Sequence, residues 1–371
     1  MDFRLRRMQF VRLVLFFVVI ASEMNFMPSV HAQDQAQAGL DQFDALTESS
    51  GWVLLDRGLF WTSDAGQSWE AIGPSIPSDA TVQDVEFINP NTGWMLWTTA
   101  NQDGAANFSL AHTLDRGTTW DTRALALFES GEIAAHFDRA GMGWSDAQNG
   151  WMAVKQAGSS NFSLGTLFRT SDGGATWTRS VLPVADRVSF SDLQIGWAVG
   201  GPGGDQIFKT QDGGITWWDS RPEIESDSSV TVYEPFHADE FGLLVTTRLG
   251  AENSLEIYRM ENSTGKWSLL DQVTLDVEPG VIGLSILDPR NLVATLPGTR
   301  SIVRMKDGRL EALENQDGLS ASIVELDMVS LEAGWARSVE SNCVTASSLD
   351  LEPASVSCAS ATRLLLTHDG G

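Results

Sequence analysis

Two short patterns recur along this chain at intervals of 40 to 57 residues, and they restrict its fold more than anything else in it. One is a glycine–tryptophan pair opening an apolar stretch: Gly51-Trp52, Gly93-Trp94, Gly150-Trp151, Gly196-Trp197 and Gly334-Trp335. The other is Thr-x-Asp-x-Gly-x-x-Trp, with four full copies: Thr62, Asp64, Gly66, Trp69; Thr113, Asp115, Gly117, Trp120; Thr170, Asp172, Gly174, Trp177; and Thr210, Asp212, Gly214, Trp217. Trp267 closes a weaker copy, so ten of the 14 tryptophans mark just two recurring positions. A repeat of this length is one small unit used many times, each burying its faces only against its neighbours.

Aligning on these marks gives seven units, starting near residues 42, 83, 141, 186, 231, 282 and 323. Seven positions before each glycine-following tryptophan, or its equivalent, stand Ala45, Phe87, Trp144, Phe190, Phe236, Ile286 and Met328. A further column, Phe60, Ala111, Phe168, Phe208 and Tyr258, runs beside Leu59, Leu110, Leu167, Ile207 and Ile257, so that strand is apolar on both faces. Strands buried on both sides belong to sheets sandwiched between other sheets. Each unit reads as four short strands, in the second near 83–88, 93–98, 108–113 and 119–122, and helical periodicity is scarce. The expectation is an all-β, seven-bladed β-propeller filling 33–371 as a single domain. The chain stops three residues before the tryptophan that would follow Asp369, so the last blade is expected to be truncated before its outer strand.

The recurring aspartate has a local task. Its carboxylate accepts backbone N–H groups a few residues on, the glycine supplies a positive φ, and the tryptophan buries apolar surface beneath the turn. Catalysis needs a residue once, whereas this aspartate occurs in at least five units, Asp369 included. The motif is read as structural.

Residues 1–32 differ from the rest. Arg4, Arg6, Arg7 and Arg12 precede an apolar run over 13–21, and Val30-His31-Ala32 offers small residues for cleavage, the pattern of a secretory signal peptide. Nine apolar residues fall short of the roughly 20 needed to span a bilayer, so no stable span is expected after cleavage. The whole chain has 24 basic and 49 acidic residues; losing four and two with the leader leaves 20 and 47, a formal −27. Such a surface repels phosphates, which argues against nucleic acid as partner. The only two cysteines, Cys343 and Cys358, are expected to pair in an exported protein, contributing about 3 kcal/mol by loop closure.

The Thr-x-Asp-x-Gly-x-x-Trp motif resembles the Asp box, or BNR repeat, of sialidases and sortilin-type receptors. The longer stretch IGWAVGGPGGDQIFKTQDGGITW, 195–217, is similar to the photosystem II stability/assembly factor family. That resemblance implies a secreted or lumenal propeller without catalytic activity or cofactor, whose relatives in photosynthetic organisms assist assembly of the photosystem II reaction centre. The chain departs from the family pattern in unit five, where Asn262 replaces the aspartate, in unit six, which has only MKDGRLEAL, and in unit seven, where an insert at 340–361 carries both cysteines.

Enzyme readings find little support. A sialidase needs a tyrosine nucleophile, and of Tyr233 and Tyr258 the latter falls in a core column. A two-carboxylate glycoside hydrolase of the Asp-box class is the runner-up. His112, His136, His237 and His368 lie at no metal-ligand spacing, and no Gly-x-Ser-x-Gly elbow exists. GGPGG at 200–204 joins two strands, whereas a phosphate cradle would open a helix. No metal and no catalytic residue is assigned.

Lengthened connections at 100–107, 123–138, 156–161, 221–229 and 250–254 should gather on the face opposite the Asp turns, the expected partner surface. Trp61 and Trp218 stand where sibling units carry polar residues and are candidate exposed contacts. A monomer that binds a protein partner is expected, with a glycan as the alternative, in the periplasm, a lumen or outside the cell.

Overall fold

The computed structural model describes residues 39–100, 105–129, 137–157, 164–223, 229–237, 241–261, 265–276, 278, 282–296, 301–314, 323–346 and 355–368, with backbone alone for 301, 314, 340–346 and 355–360. The predicted leader, Asp369 and parts of the long connections (101–104, 130–136, 158–163 and 224–228) lie outside this set. Among the described residues every regular element is a strand, and no helix is long and apolar enough to cross a membrane.

Seven antiparallel sheets follow one another as a propeller, each a meander in which consecutive strands pair. Blades one to four and six have four strands; they span 40–71, 81–125, 137–182, 187–219 and 283–314. In blade five, 229–275, the inner strand is split into Ser229–Val232 and Phe236–His237, both on Phe241–Leu249. Pro235, which has no N–H to give the ladder, sits at the break. Blade seven, 323–367, has three strands among the described residues. In blade six the missing Asp turn is replaced by a tight hairpin pairing Lys306 with Arg309, with Asp307 and Gly308 at φ 52° and 79°, the left-handed pair of a type I′ turn.

Inner strands of blades two and three, three and four, six and seven, and seven and one contact each other, which sets the first strands along the axis. Alternation within each meander puts the first–second hairpin and the Asp turn on one face of the disc. The second–third hairpins and the connections to the next blade open on the other, the loop face.

The glycine–tryptophan pair locks blade to blade. The glycine lies opposite the column residue of its own blade: Phe87 faces Gly93, Trp144 faces Gly150 and Phe190 faces Gly196. In each of these three a Cβ on the glycine would lie 2.5 Å from ring carbons of that neighbour. The tryptophan then reaches the column residue of the following blade. Trp94 stacks on Trp144 with centroids 4.0 Å apart, Trp52 meets Phe87 at 6.3 Å, and Trp151 meets Phe190 at 5.2 Å. Blade one has only Ala45 in this column, and the vacated volume receives Trp335 of blade seven. Trp335 lies so close over Gly51 that a Cβ there would come within 2.6 Å, and it meets Trp69 edge-on at 5.9 Å. Leu59, Leu110, Leu167, Ile207 and Ile257 of the third strands are all at most 1% exposed, the innermost layer of these interfaces.

A second link joins consecutive inner strands through polar groups. The residue just before the column residue accepts the next blade's column N–H: Ser285 Oγ from Met328 at 3.0 Å, and Asp327 Oδ2 from Ala45 at 2.5 Å. The residue three before it accepts an N–H two before the next column residue: Gln42 Oε1 from Val85 at 3.1 Å, and Asp84 Oδ2 from Met142 at 2.6 Å. The Asp327–Ala45 bond crosses from blade seven to blade one.

Candidate functional site in the central channel

The repeated aspartates do not converge. Asp64, Asp115, Asp172 and Asp212 each sit in their own hairpin on the face opposite the loops. Asp212 illustrates all four: Oδ1 accepts the Thr210 hydroxyl at 2.9 Å and the Thr216 N–H at 2.9 Å, and Oδ2 accepts the Thr216 hydroxyl at 2.6 Å. These bonds favour the charged form and hold the Asp172 and Asp212 carboxyls down at about 2. Gly66, Gly117, Gly174 and Gly214 have φ between 76° and 84°, where side chains are strained. Trp120, Trp177 and Trp217 stand edge-on to the column residue of their own blade, Phe87, Trp144 and Phe190, at 6.1 to 6.3 Å.

Trp61 requires a correction: it is 2% exposed and packs with Trp52 and Phe87, with the Arg116 guanidinium 5.4 Å over its ring. Its polar siblings are themselves packed on aromatics. His112 stacks on Trp94 at 4.6 Å, Arg169 lies over Phe190, Lys209 over Trp197 and Arg259 over Phe241. The position is a buried seat for an amphipathic or aromatic side chain, so a tryptophan there is core. Trp218 is 40% exposed on the rim of blade four. The backbone register sets Cys343 directly opposite Cys358; antiparallel neighbours have Cα atoms about 4.5–5.5 Å apart, within the span a disulfide bridges.

Groups with unusual electrostatics collect on the axis instead. Burial raises the Asp84 carboxyl to about 7, against the pull of the Met142 and Val85 amides. Glu86 is pushed well above the ordinary carboxylate range by burial and by the charges of Asp84, Asp44 and Glu234, groups from three blades facing one space. Asp44 and Asp327 are raised by burial, and Asp44 further by its neighbour Asp327. The channel is therefore lined by carboxyls that hold protons unusually tightly.

Toward the loop face cations join the carboxyls in the lining. Two cavities of about 450 and 260 Å3 open there and share Arg187 and Glu234 in their walls. Most cations nearby are occupied. Arg139 and Lys155 both bond Asp186, at 3.1 and 2.7 Å, and Lys155 also reaches Asp138 at 3.4 Å. Arg337 pairs with Glu325 at 2.8 Å and donates to the Leu40 and Asp41 carbonyls. Arg187 is exposed and forms no close ion pair or hydrogen bond among the described residues, although its charge is near enough to pull the Glu325 carboxyl down. On a chain of formal charge −25, an unpaired guanidinium in a cavity wall is a ready contact for a carboxylate.

Neither tyrosine has the surroundings of a nucleophile. The Tyr258 hydroxyl donates to Glu256 Oε2 at 2.8 Å, Glu256 is tied to Arg248 at 2.8 Å, and burial drives the phenol's proton affinity up. Tyr233 borders the larger cavity without a side-chain hydrogen bond to a carboxylate among the described residues. No group of three or more His, Cys, Asp or Glu able to hold a metal occurs among the described residues.

No protein-family model matches this sequence, and no curated protein matches it either. Solved structures do. YCF48 bound to a D1 peptide superposes with a TM-score of 0.56 and 17% identity, over 81% of this chain and 90% of that one. YCF48 from Cyanidioschyzon merolae gives 0.52 and 15%, over 81% and 92%. The chain has the YCF48 fold. A GH74 enzyme from Niastella koreensis gives 0.48 and 14%, over 74% of this chain and 45% of that one. At these identities the likeness to YCF48 is one of architecture, and function has to be argued from the channel.

The sequence did not point to Arg187, Asp84 or Asp327. The signal that would have found them is the polar alternation one and three places before four of the seven column residues: Asp44 and Gln42, Glu86 and Asp84, Ser189 and Arg187, Asp327 and Glu325.

Proposed function

We propose that this protein is an exported, non-enzymatic interaction scaffold resembling photosystem II assembly factors. It holds an extended, acidic peptide segment of a protein partner at the loop-face mouth of its channel. The observation that carries this reading is Arg187, an exposed cation that forms no close ion pair or hydrogen bond among the described residues, in the wall common to both cavities. The YCF48 propeller bound to a D1 peptide supports a peptide as ligand for such a scaffold. The leader-like residues 1–32 support export.

The test is a comparison of partner capture by wild type and Arg187→Glu in the native host, with photo-crosslinkers placed at Tyr233 and Val324 in the cavity wall. A partner that crosslinks to wild type and is lost from Arg187→Glu is expected. Equal capture by both proteins would refute the reading. Release of reducing ends from a polysaccharide panel would instead favour the glycoside hydrolase, and deletion of 1–32 should keep the protein in the cytoplasm.

A further inference from the structure

The second strand of blade seven, Gly334–Ala346, is much longer than its inner neighbour. Ile323–Met328 pairs with it only as far as Ser338, whereas the third strand, Ser355–Thr367, pairs with it through Ala346. For the eight residues 339–346, therefore, one edge is paired and the other has no partner among the described residues. Because the inner strand pairs on that same side, the edge without a described partner is turned toward the axis, on the loop face.

Three observations say what suits this edge. First, the sequence Val-Glu-Ser-Asn-Cys-Val-Thr-Ala has no proline and, Glu340 apart, no charged residue, the devices by which exposed edges usually discourage pairing. Second, the edge leads into the site already described: Arg337, two residues before Val339 on the same strand, borders the larger cavity together with Arg187. Third, a second copy of this chain would bring another formal charge of −25 to the same place, whereas a short peptide brings little charge beyond the part that meets Arg187.

We infer that the inner edge of 339–346 is a strand-addition site, where an extended peptide pairs with the backbone and passes its acidic end into the cavity at Arg187. This rests on the peptide-binding reading of the channel and adds the means of holding the peptide. Eight residues of strand offer about 26 Å of edge, and about half of their backbone N–H and C=O groups point to the added strand. Main-chain bonds then supply affinity and the arginine supplies selectivity for acidic segments.

The test uses a fluorescein-labelled probe, Thr-Val-Thr-Val-Thr-Val-Gly-Glu-Asp-Glu, and two versions N-methylated on alternate amides, one in each phase. Binding is read by anisotropy with wild type, with Arg187→Glu, and with a variant whose residues 341–360 are replaced by an Asn-Gly turn. Near-ultraviolet tryptophan dichroism checks that each variant is folded. One methylation phase should weaken binding about tenfold or more, as expected for losing a few main-chain hydrogen bonds, and the other should bind like the parent. The shortened hairpin should lose a similar factor, and hydrogen exchange across 339–346 should slow when the probe is added to wild type. If both methylated probes bind like the parent while Arg187→Glu still abolishes binding, strand addition is wrong and the charged mouth alone holds the peptide. If the parent probe does not bind wild type, both readings fall. A wild-type dimer in sedimentation that the shortened hairpin abolishes would assign the edge to self-pairing and overturn the proposal.

Discussion

Replacing Asp84 by asparagine isolates the cost of keeping an acid between two blades. Asp84 Oδ2 accepts the Met142 N–H at 2.6 Å and Oδ1 accepts the Val85 N–H at 2.9 Å, and the carboxyl's proton affinity is raised from an ordinary 3.8 to about 7. Because the folded value is the higher one, the folded protein keeps this proton while the unfolded chain has already lost it. Stability from this group is thus fully present below about pH 3.8, falls as pH rises, and is gone above about pH 7. The full difference is about 4 kcal/mol at 1.36 kcal/mol per unit. Asp84 is half-buried in the wall of the smaller cavity, where solvent screening lowers this, and about 2 kcal/mol is the working expectation. Asparagine cannot ionise, but its single carbonyl replaces only one of the two accepted bonds, which costs about 1 kcal/mol at every pH. Asp84→Asn should therefore be less stable than wild type by about 1 kcal/mol at pH 4 and more stable by about 1 kcal/mol at pH 8. With a transition entropy of about 2 cal/mol/K per residue, the pH 8 gain is a rise in Tm of roughly 1–2 °C. Urea unfolding of both proteins from pH 4 to 8 gives a difference curve in which other carboxylates largely cancel. A difference that stays flat across this range would refute the assignment of a buried, proton-holding Asp84.

Gly150→Ala puts a methyl 2.5 Å from the Trp144 ring and should lower stability by about 1–3 kcal/mol in urea unfolding. Trp61→Ala should cost about 3–5 kcal/mol as a core truncation, while Trp218→Ala should stay within about 0.5 kcal/mol, the reverse of what two surface contacts would show. The Asp172 and Asp212 carboxyls, held at about 2, stabilise the folded protein above pH 3.8, and this is lost as pH falls toward 2. Carboxyl carbon chemical shifts followed by NMR should show both midpoints near pH 2, and midpoints close to 4 would contradict the turn geometry.

Much of the fold was legible because each recurring residue answers a problem that every blade shares. Glycine must lie beneath a ring, aspartate must bind its own turn, and the column residue must meet the tryptophan before it. Such constraints leave a period in the sequence. Ala45 looked like a weak member of its column until Trp335 was seen filling the space it leaves. The channel was not legible, for the opposite reason: Arg187 occurs once, and its meaning depends on Glu234 and Glu325 brought near it from other blades. Trp61 was misread as surface because comparison by polarity hides the fact that His112, Arg169, Lys209 and Arg259 lie along aromatic rings.

The bond from Asp327 to Ala45 is of the same kind as the one from Ser285 to Met328, yet the first crosses a boundary that no peptide linkage bridges directly and the second follows the chain. Covalent continuity is thus not what holds neighbouring blades together. Nicking a surface connection between two blades should leave fragments that reassemble, and a rotated gene order that starts at another blade should encode the same wheel.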